Sequence, residues 1–406
     1  MLTVKTPEQA DELLRRAFPP CPQPENVPLN DAPGRILCGG IVSREYVPGF
    51  DRSSVDGYAV RSADTFGCSD AIPALLTLSG EIRMGTGAGA SLSPGCCVAV
   101  PTGGAVPPGA DAVVMCEYTE SYGDGTLAVT KPAAPGENMV YRGDDVSPGQ
   151  PLLPAGHRLT PQDIGALAAL GVTQVSVCRR PLVGILSTGD ELVPPEVCPE
   201  NGQVRDVNTP MLRALCLEAG AQVRTFGIIP DDEAALTAAV KEAAEQCDLV
   251  LLSGGSSVGE KDAACRVIGA LGSVLFHGIA MKPGKPTIAG SIGGRPVFGL
   301  PGHPVAAFFV ARLFVLPLIA RLMGHAPRRI ALSAVLTESV SANHGRAQYT
   351  GVSLERRDGV LCAVPIRSKS GLITALTGAD GYLCIPRDTE GFPAGAPVEI
   401  ISFTPD

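Results

Sequence analysis

Residues 253–262 read SGGSSVGEKD and follow directly on the apolar run DLVLL at 248–252. A short apolar run that empties into a glycine-rich turn leaves backbone N–H groups unpaired around a concavity, and such concavities bind anions. The same layout occurs twice more nearby. Residues 183–186 run into STGDEL at 187–192, and residues 297–300 run into PGHP at 301–304, which opens a long apolar helix. Ser187, Thr188, Gly189, Ser253, Gly254, Gly255, Ser257, Gly259, Gly302 and His303 are therefore candidates for holding a phosphorylated or oxyanionic ligand.

Outward from these turns, strands and helices alternate from about residue 180 to residue 326. Such alternation marks a doubly wound parallel sheet, whose ligands sit beyond the carboxyl ends of the strands. The expected helices cover 210–219, 232–246 and the region of 263–271. Upstream, residues 27–143 are short apolar runs (LLTLSG, CCVAVPTGG, DAVVMCEY, TLAVTKP) separated by Pro, Gly, Asp and Ser, the pattern of a β-rich module. Two capped helices bracket it. One covers 6–18, with Thr6 as N-cap, Pro7 at the first position and Gln9 at the capping-box position; the other covers 160–171. They are expected to pack together, with the β module inserted between them. Short β runs return after residue 328, as a small barrel or sandwich. The expected organisation is multidomain α/β plus β: residues 1–45 with 146–178, an inserted module at 46–145, the α/β domain at 179–327 and a C-terminal β domain at 328–406.

The 406 residues allow two to four domains at about 150 each. A net charge of −9 and the absence of Trp argue against a nucleic-acid or anionic-membrane partner. An anionic ligand must then be attracted locally, by lysines, N–H groups or a metal. Thirteen cysteines at irregular spacing, with no C-x-x-C pair, support neither a disulfide framework nor a zinc site and fit a reducing cytoplasm. The N-terminal residues lack the apolar core of a signal peptide. The most apolar segment, 305–323, is interrupted by Arg312, Pro317 and Arg321, so no membrane span is expected.

Acids stand beside each turn: Asp190 and Glu191, Asp231 and Asp232, Glu260 and Asp262. Carboxylates next to a phosphate cradle repel the ligand unless a hard cation bridges them, which predicts Mg²⁺ on one or two acids plus ligand oxygens. Glu191 and Asp262 are the candidate metal ligands, whereas Asp231 or Asp232 could equally cap the helix that follows. Lys282 and Lys285, in MKPGKP, present two ammonium groups in a turn. His303 could cap the apolar helix, meet a phosphate or move a proton. Asp56-Gly57 reads as a hairpin turn, and PTGG at 101–104 and RGDD at 142–145 read as turns.

Taken together and in order, DRSSVDGYAVR (51–61), VPTGGAVPPGADAVV (100–114), RGDD, STGDEL, IIPDD (228–232), LLSGGSSVGEKD (251–262), MKPGKP (281–286) and GLPGHPVAA (299–307) resemble the gephyrin-type molybdopterin molybdenumtransferases, the MoeA family. The resemblance implies a transferase of molybdenum cofactor biosynthesis. Such an enzyme takes adenylylated molybdopterin, releases AMP in a Mg²⁺-dependent step and places molybdate on the dithiolene. It also implies a four-domain homodimer, with a pterin adenylyltransferase upstream and molybdoenzymes downstream. Carried over by motif, Asp56 and Thr102 reach across the dimer, and Asp145, Glu191, Asp231 and Asp262 serve the cleft. Lys282, Lys285, Pro301 and Pro304 line the phosphate and molybdate side, completed by Arg346 and Ser370. The chain departs from the family pattern at Gly278 (usually Lys), His303 (usually Asn) and Ala306 (usually Ser), all expected near the oxyanion pocket. Those departures keep a tungstate-preferring paralogue as an alternative, beside a pterin-binding scaffold.

Overall fold

The computed structural model describes residues 4–254, 263–327, 329–367 and 371–404. The decisive runs form one six-stranded sheet. In chain order its strands are β1 (Leu182–Thr188), β2 (Gln222–Ile229), β3 (Leu249–Ser253), β4 (Ser273–His277), β5 (Ile288–Ile292) and β6 (Arg295–Leu300), arranged β2-β1-β3-β6-β5-β4. The first four in that arrangement are parallel, and β5 joins β6 antiparallel. Successive side chains of a strand face opposite ways, so each apolar run feeds two cores. Ile185, Leu251 and Phe298 enter one, while Leu186, Leu252 and Val297 enter the other. Register then sets the functional edge: Ser187 lies opposite Ser253, and Ser253 opposite Leu300, which brings all three glycine turns to one end of the sheet.

The N-terminal helix α1 (Pro7–Ala17) carries the expected capping box between Thr6 and Gln9. Its packing differs from expectation. Ala10, Leu14 and Phe18 join the core of the central sheet with Ile279, Met281 and Phe314, whereas Leu167 of α2 (Pro161–Ala169) packs with Val27, Leu37, Val175 and Val177. Two backbone bonds hold α1 there, Lys5 N–H to Gly278 O at 3.0 Å and Ala280 N–H to Lys5 O at 2.7 Å.

Three further helices flank the sheet: α3 (Asn208–Glu218), α4 (Glu233–Gln246) and α5 (Ala263–Leu271). The long apolar helix expected after PGHP runs through its charged and proline residues. It runs as α6 (Pro304–Val310), one π turn (Ala311–Val315) and α7 (Leu316–Leu322). Pro317 has no N–H to donate, and the ladder widens to i→i+5 bonding in the turn just before it. This 19-residue stretch is long and apolar enough to cross a membrane, but 67% of its most apolar 18-residue window is buried inside the protein as a core helix.

The upstream module is a six-stranded sheet ordered Ala112–Met115, Gly57–Val60, Cys96–Val100, Ala74–Glu81, Thr126–Val129 and Thr119–Ser121. Asp56-Gly57 is not a hairpin turn here. Gly57 opens a strand, and a Cβ on it would lie 2.1 Å from Val114 O, so glycine is required by close backbone approach rather than by a left-handed turn. At the C-terminus five strands close into a ring, Ala347–Arg357, Val360–Pro365, Ala331–Leu336, Pro397–Ser402 and Gly381–Ile385, the last returning to the first. Met281–Lys282, a two-residue strand that follows β4, pairs with Ala347 and Gln348 and so joins this barrel to the α/β unit.

Candidate active site

The carboxyl edge of the sheet is a connected polar network. Ser187 and Thr188 are buried at the end of β1, with Ser187 Oγ 2.9 Å from Thr209 Oγ1 and Thr188 Oγ1 donating to Asp231 Oδ1 at 2.9 Å. The Asp231 N–H donates in turn to Asp190 Oδ1 at 3.1 Å. Asn208 Nδ2 donates to Ser253 Oγ at 2.7 Å and to Gly302 O at 2.8 Å, so one amide ties the second turn to the third. Asp206 Oδ1 accepts the N–H groups of Asn208 and Thr209, both at 3.1 Å, and fixes the start of α3. Asn208 Oδ1 is buried with no hydrogen-bond partner.

Asp206, Asn208 and Thr209 escaped the sequence reading. The signal was present in DVNTP at 206–210, an acid and two capping-type residues before a proline, but it read only as a helix start. Gly254 belongs to the same geometry. Its φ is +96°, and a Cβ there would meet Thr188 O at 2.2 Å, so the second turn approaches the first as only glycine permits.

The acids divide by role. Asp232 caps α4 by accepting the Ala235 N–H at 2.8 Å, which leaves Asp231 with Thr188 at the edge. Glu191 is exposed and folds back over Gly189, where a Cβ would meet its Oε2 at 2.7 Å. The polar side chains at this edge, Asp190, Glu191, Asp231 and the Thr188 hydroxyl, offer oxygen donors only. No group of three metal-ligating side chains assembles among the described residues. Oxygen donors fit Mg²⁺, which keeps waters and ligand oxygens and needs one or two carboxylates rather than a protein cage. Gly255, Ser257, Gly259, Glu260, Asp262 and Ser370 lie outside the described residues.

Beside this edge, between the α/β unit and the barrel, lies a cavity of about 1010 Å³. Lys282, Lys285, His303, Arg346 and Arg367 line it, with Pro301 at its border, and no Asp or Glu is among the described lining residues. Arg367 pairs with Glu338 at 3.0 Å. Burial pushes the Tyr349 phenol well above its ordinary pKa, with Cys384 adding to the effect, so this wall presents a neutral hydroxyl. His303 holds the N-cap position of α6 without a side-chain cap hydrogen bond, and Pro304 is the buried first helical residue. His303 and Ala306 both line the cavity, whereas Gly278 is buried behind it at φ +101°, where a Cβ would lie 3.4 Å from Val4 and 3.6 Å from the carbonyl oxygen of Lys285.

Asp56, Thr102 and Asp145 are not brought to the edge or to the cavity wall. Asp56 Oδ1 accepts the Thr102 N–H at 2.7 Å and its hydroxyl at 3.0 Å. The backbone bond first, then the hydroxyl, hold the Asp56 carboxyl below the usual carboxylate range. Asp145 is exposed in the RGDD turn, its N–H bonded to Val47 O at 3.0 Å.

Likeness to known proteins extends over 99% of the chain. The family descriptions "MoeA N-terminal region (domain I and II)", "probable molybdopterin binding domain" and "MoeA C-terminal region (domain IV)" match residues 5–171, 184–321 and 333–403. The molybdopterin molybdenumtransferase of Bacillus subtilis strain 168 is 35% identical over 409 residues, covering 99% of this chain and 95% of that protein. That of Haemophilus influenzae is 34% identical, with 99% of each chain covered. Two crystal structures of molybdopterin biosynthesis MoeA protein from Pyrococcus horikoshii superpose with TM-scores of 0.86 and 0.88, at 37% and 32% identity, each covering 99% of this chain and 100% of its own.

Proposed function

The chain belongs to the molybdopterin molybdenumtransferase (MoeA) family, and from that membership we propose that it inserts molybdate into adenylylated molybdopterin with Mg²⁺-dependent release of AMP. One observation carries the reading. In a chain of net charge −9, a cavity walled by Lys282, Lys285 and Arg346 and lacking described carboxylates adjoins a strand edge that carries Asp190 and Asp231.

The two halves then have separate tasks. The turns at Ser187, Ser253 and Gly302 hold the pterin phosphate through backbone N–H groups and hydroxyls. Lys282, Lys285 and Arg346 hold the molybdate dianion, whose approach a carboxylate in the same wall would oppose. Glu191 orients the water that attacks phosphorus and takes its proton as the link to AMP breaks. Bound at Glu191 and Asp262 with ligand oxygens, Mg²⁺ would supply charge neutralisation at the phosphates. The fixed N–H groups stabilise charge developing on the phosphoryl oxygens without reorganising.

We also propose a homodimer in which the partner's β module completes the site, because Asp56, Thr102 and Asp145 stand away from this chain's own cleft. Large apolar side chains on that module, including Phe66 and Ile72 at 64% and 72% exposure, support an association surface. Thirteen free thiols support a reducing, cytoplasmic setting, in which an adenylyltransferase would supply the substrate and molybdoenzymes would receive the product.

The test is AMP release from adenylylated molybdopterin with molybdate and tungstate in parallel, since His303 and Ala306 both face the oxyanion cavity. Asp262→Ala and Glu191→Gln should each lower Mg²⁺-dependent AMP release by roughly 10²-fold or more. Release that is unchanged in both variants refutes the assignment. For the dimer, mixing Asp56→Asn chains with Glu191→Gln chains should restore part of the activity, since each hybrid dimer keeps one intact composite site.

A further inference from the structure

A second cavity, of about 610 Å³, lies at the opposite edge of the sheet. Arg180, just before β1, and Ala219 and Gly220, just before β2, border it, so it stands at the amino ends of the strands and away from the cleft. Its walls come from three places: residues 34–36 near the N-terminus, the ends of α3 and α7, and the barrel through Tyr382 and Ile401. Cavities of this size take small organic ligands.

Its charge is one-sided. Arg35, Arg158, Arg180, Arg312, Arg321 and Arg329 line it, and Glu218 is the one carboxylate among the described lining residues. Arg35 pairs with Glu25 at 2.9 Å, Arg312 with Glu218 at 3.2 Å and Arg321 with Asp11 at 3.3 Å, and Arg158 is also engaged. Among the described residues, Arg180 and Arg329 have no carboxylate at ion-pair distance.

Two buried nitrogens of the wall are also left over. Arg321 gives Nη2 to Asp11, but its Nη1 is buried with no hydrogen-bond partner. His325 Nδ1 donates to Gly156 O at 2.8 Å, and its Nε2 is likewise buried and unpaired. Buried polar atoms are normally satisfied, and two of the four unpaired side-chain atoms among the described residues belong to residues lining this cavity, where a small shift of either side chain would bring it to a bound anion. Burial works against the Arg321 charge, with Asp11 only partly opposing it, so a bound anion would relieve that group. The remaining wall is apolar, with Leu316, Pro317, Met323 and Ile330.

We propose that this cavity is a second ligand site, for a small phosphorylated organic molecule whose phosphate lies among the arginines and whose ring lies on the apolar wall. Because three parts of the chain form the walls, the ligand would also brace them against one another. The probes are AMP and inorganic phosphate, titrated by calorimetry at low ionic strength into full-length protein carrying Gly254→Ala, Lys282→Ala and Arg346→Ala, which disable both the phosphate turns and the cationic wall of the cleft. One AMP should bind per chain and raise the melting temperature, with inorganic phosphate weaker by roughly tenfold or more. Adding Arg321→Met and His325→Leu should weaken AMP by a similar factor. Arg180→Ala with Arg329→Ala changes exposed side chains only and should weaken it too, which keeps the test valid where the buried pair impairs folding. No AMP binding at millimolar concentration overturns the proposal. So does binding that survives both pairs of substitutions, or equal affinity for inorganic phosphate.

Discussion

Asn208 shows how a single amide organises this edge. It spends both Nδ2 hydrogens on Ser253 and Gly302, so truncation would leave one buried hydroxyl and one carbonyl without their donor. Asn208→Ala is expected to cost about 1–3 kcal/mol in urea unfolding. Pterin affinity should fall further than stability does, because the second and third turns lose their common tether. Gly254→Ala forces a side chain into left-handed backbone and onto Thr188 O, at a cost of about 1–3 kcal/mol in strain before any clash is relieved. Pterin binding should vanish in that variant while circular dichroism of the β-rich parts persists. Residues differed in how far the sequence disclosed them. Ser187, Ser253 and Gly302 were legible because glycine after an apolar run has few explanations. Asn208 was not, since its partners lie 45 and 94 positions away, and a capping-type residue before a proline has an ordinary local reading. Gly57 misled for a related reason: Asp-Gly favours a hairpin turn, yet the glycine answers to Val114 across the sheet.

Elements were legible wherever their signals were local. Thr6, Pro7 and Gln9 specify the start of α1, and Asp232 specifies that of α4, because caps act within one turn. What an element packs against is a long-range matter. Leu14 and Phe18 gave no hint that they would meet Ile279 and Phe314 rather than α2. The apolar helix was legible in composition and in extent, but not its π turn, which answers to the N–H that Pro317 lacks. Leu318, 1% exposed in α7, is the direct test of how much the sheet depends on this helix. Leu318→Ala should lower stability by about 2–5 kcal/mol through lost burial and the cavity left behind, read as a reduced denaturant midpoint with an unchanged slope.

At the scale of the molecule, the junction between the N-terminal part and the central sheet rests on a pair with a pH signature. Asp248, at the start of β3, accepts from Arg179 at 2.9 Å and from the Leu182 N–H at 2.7 Å. Burial alone would raise its pKa, but these two bonds and the Arg179 charge together hold it below the ordinary 3.8. A depressed folded-state value means the carboxylate stabilises the fold above about pH 4 and loses that contribution as pH falls through the depressed value. Asp248→Asn should therefore be less stable at neutral pH and show a shallower acid limb, measured by unfolding from pH 7 down to pH 2.

The barrel's attachment carries a final implication. Met281 and Lys282 form their strand pairing against Ala347 and Gln348, so a chain cut after Ala326 would expose a raw strand beside the lysine turn. Expressed alone, the pterin-type domain should self-associate through that unsatisfied edge, and adding the missing C-terminal piece in trans should dissolve the oligomers.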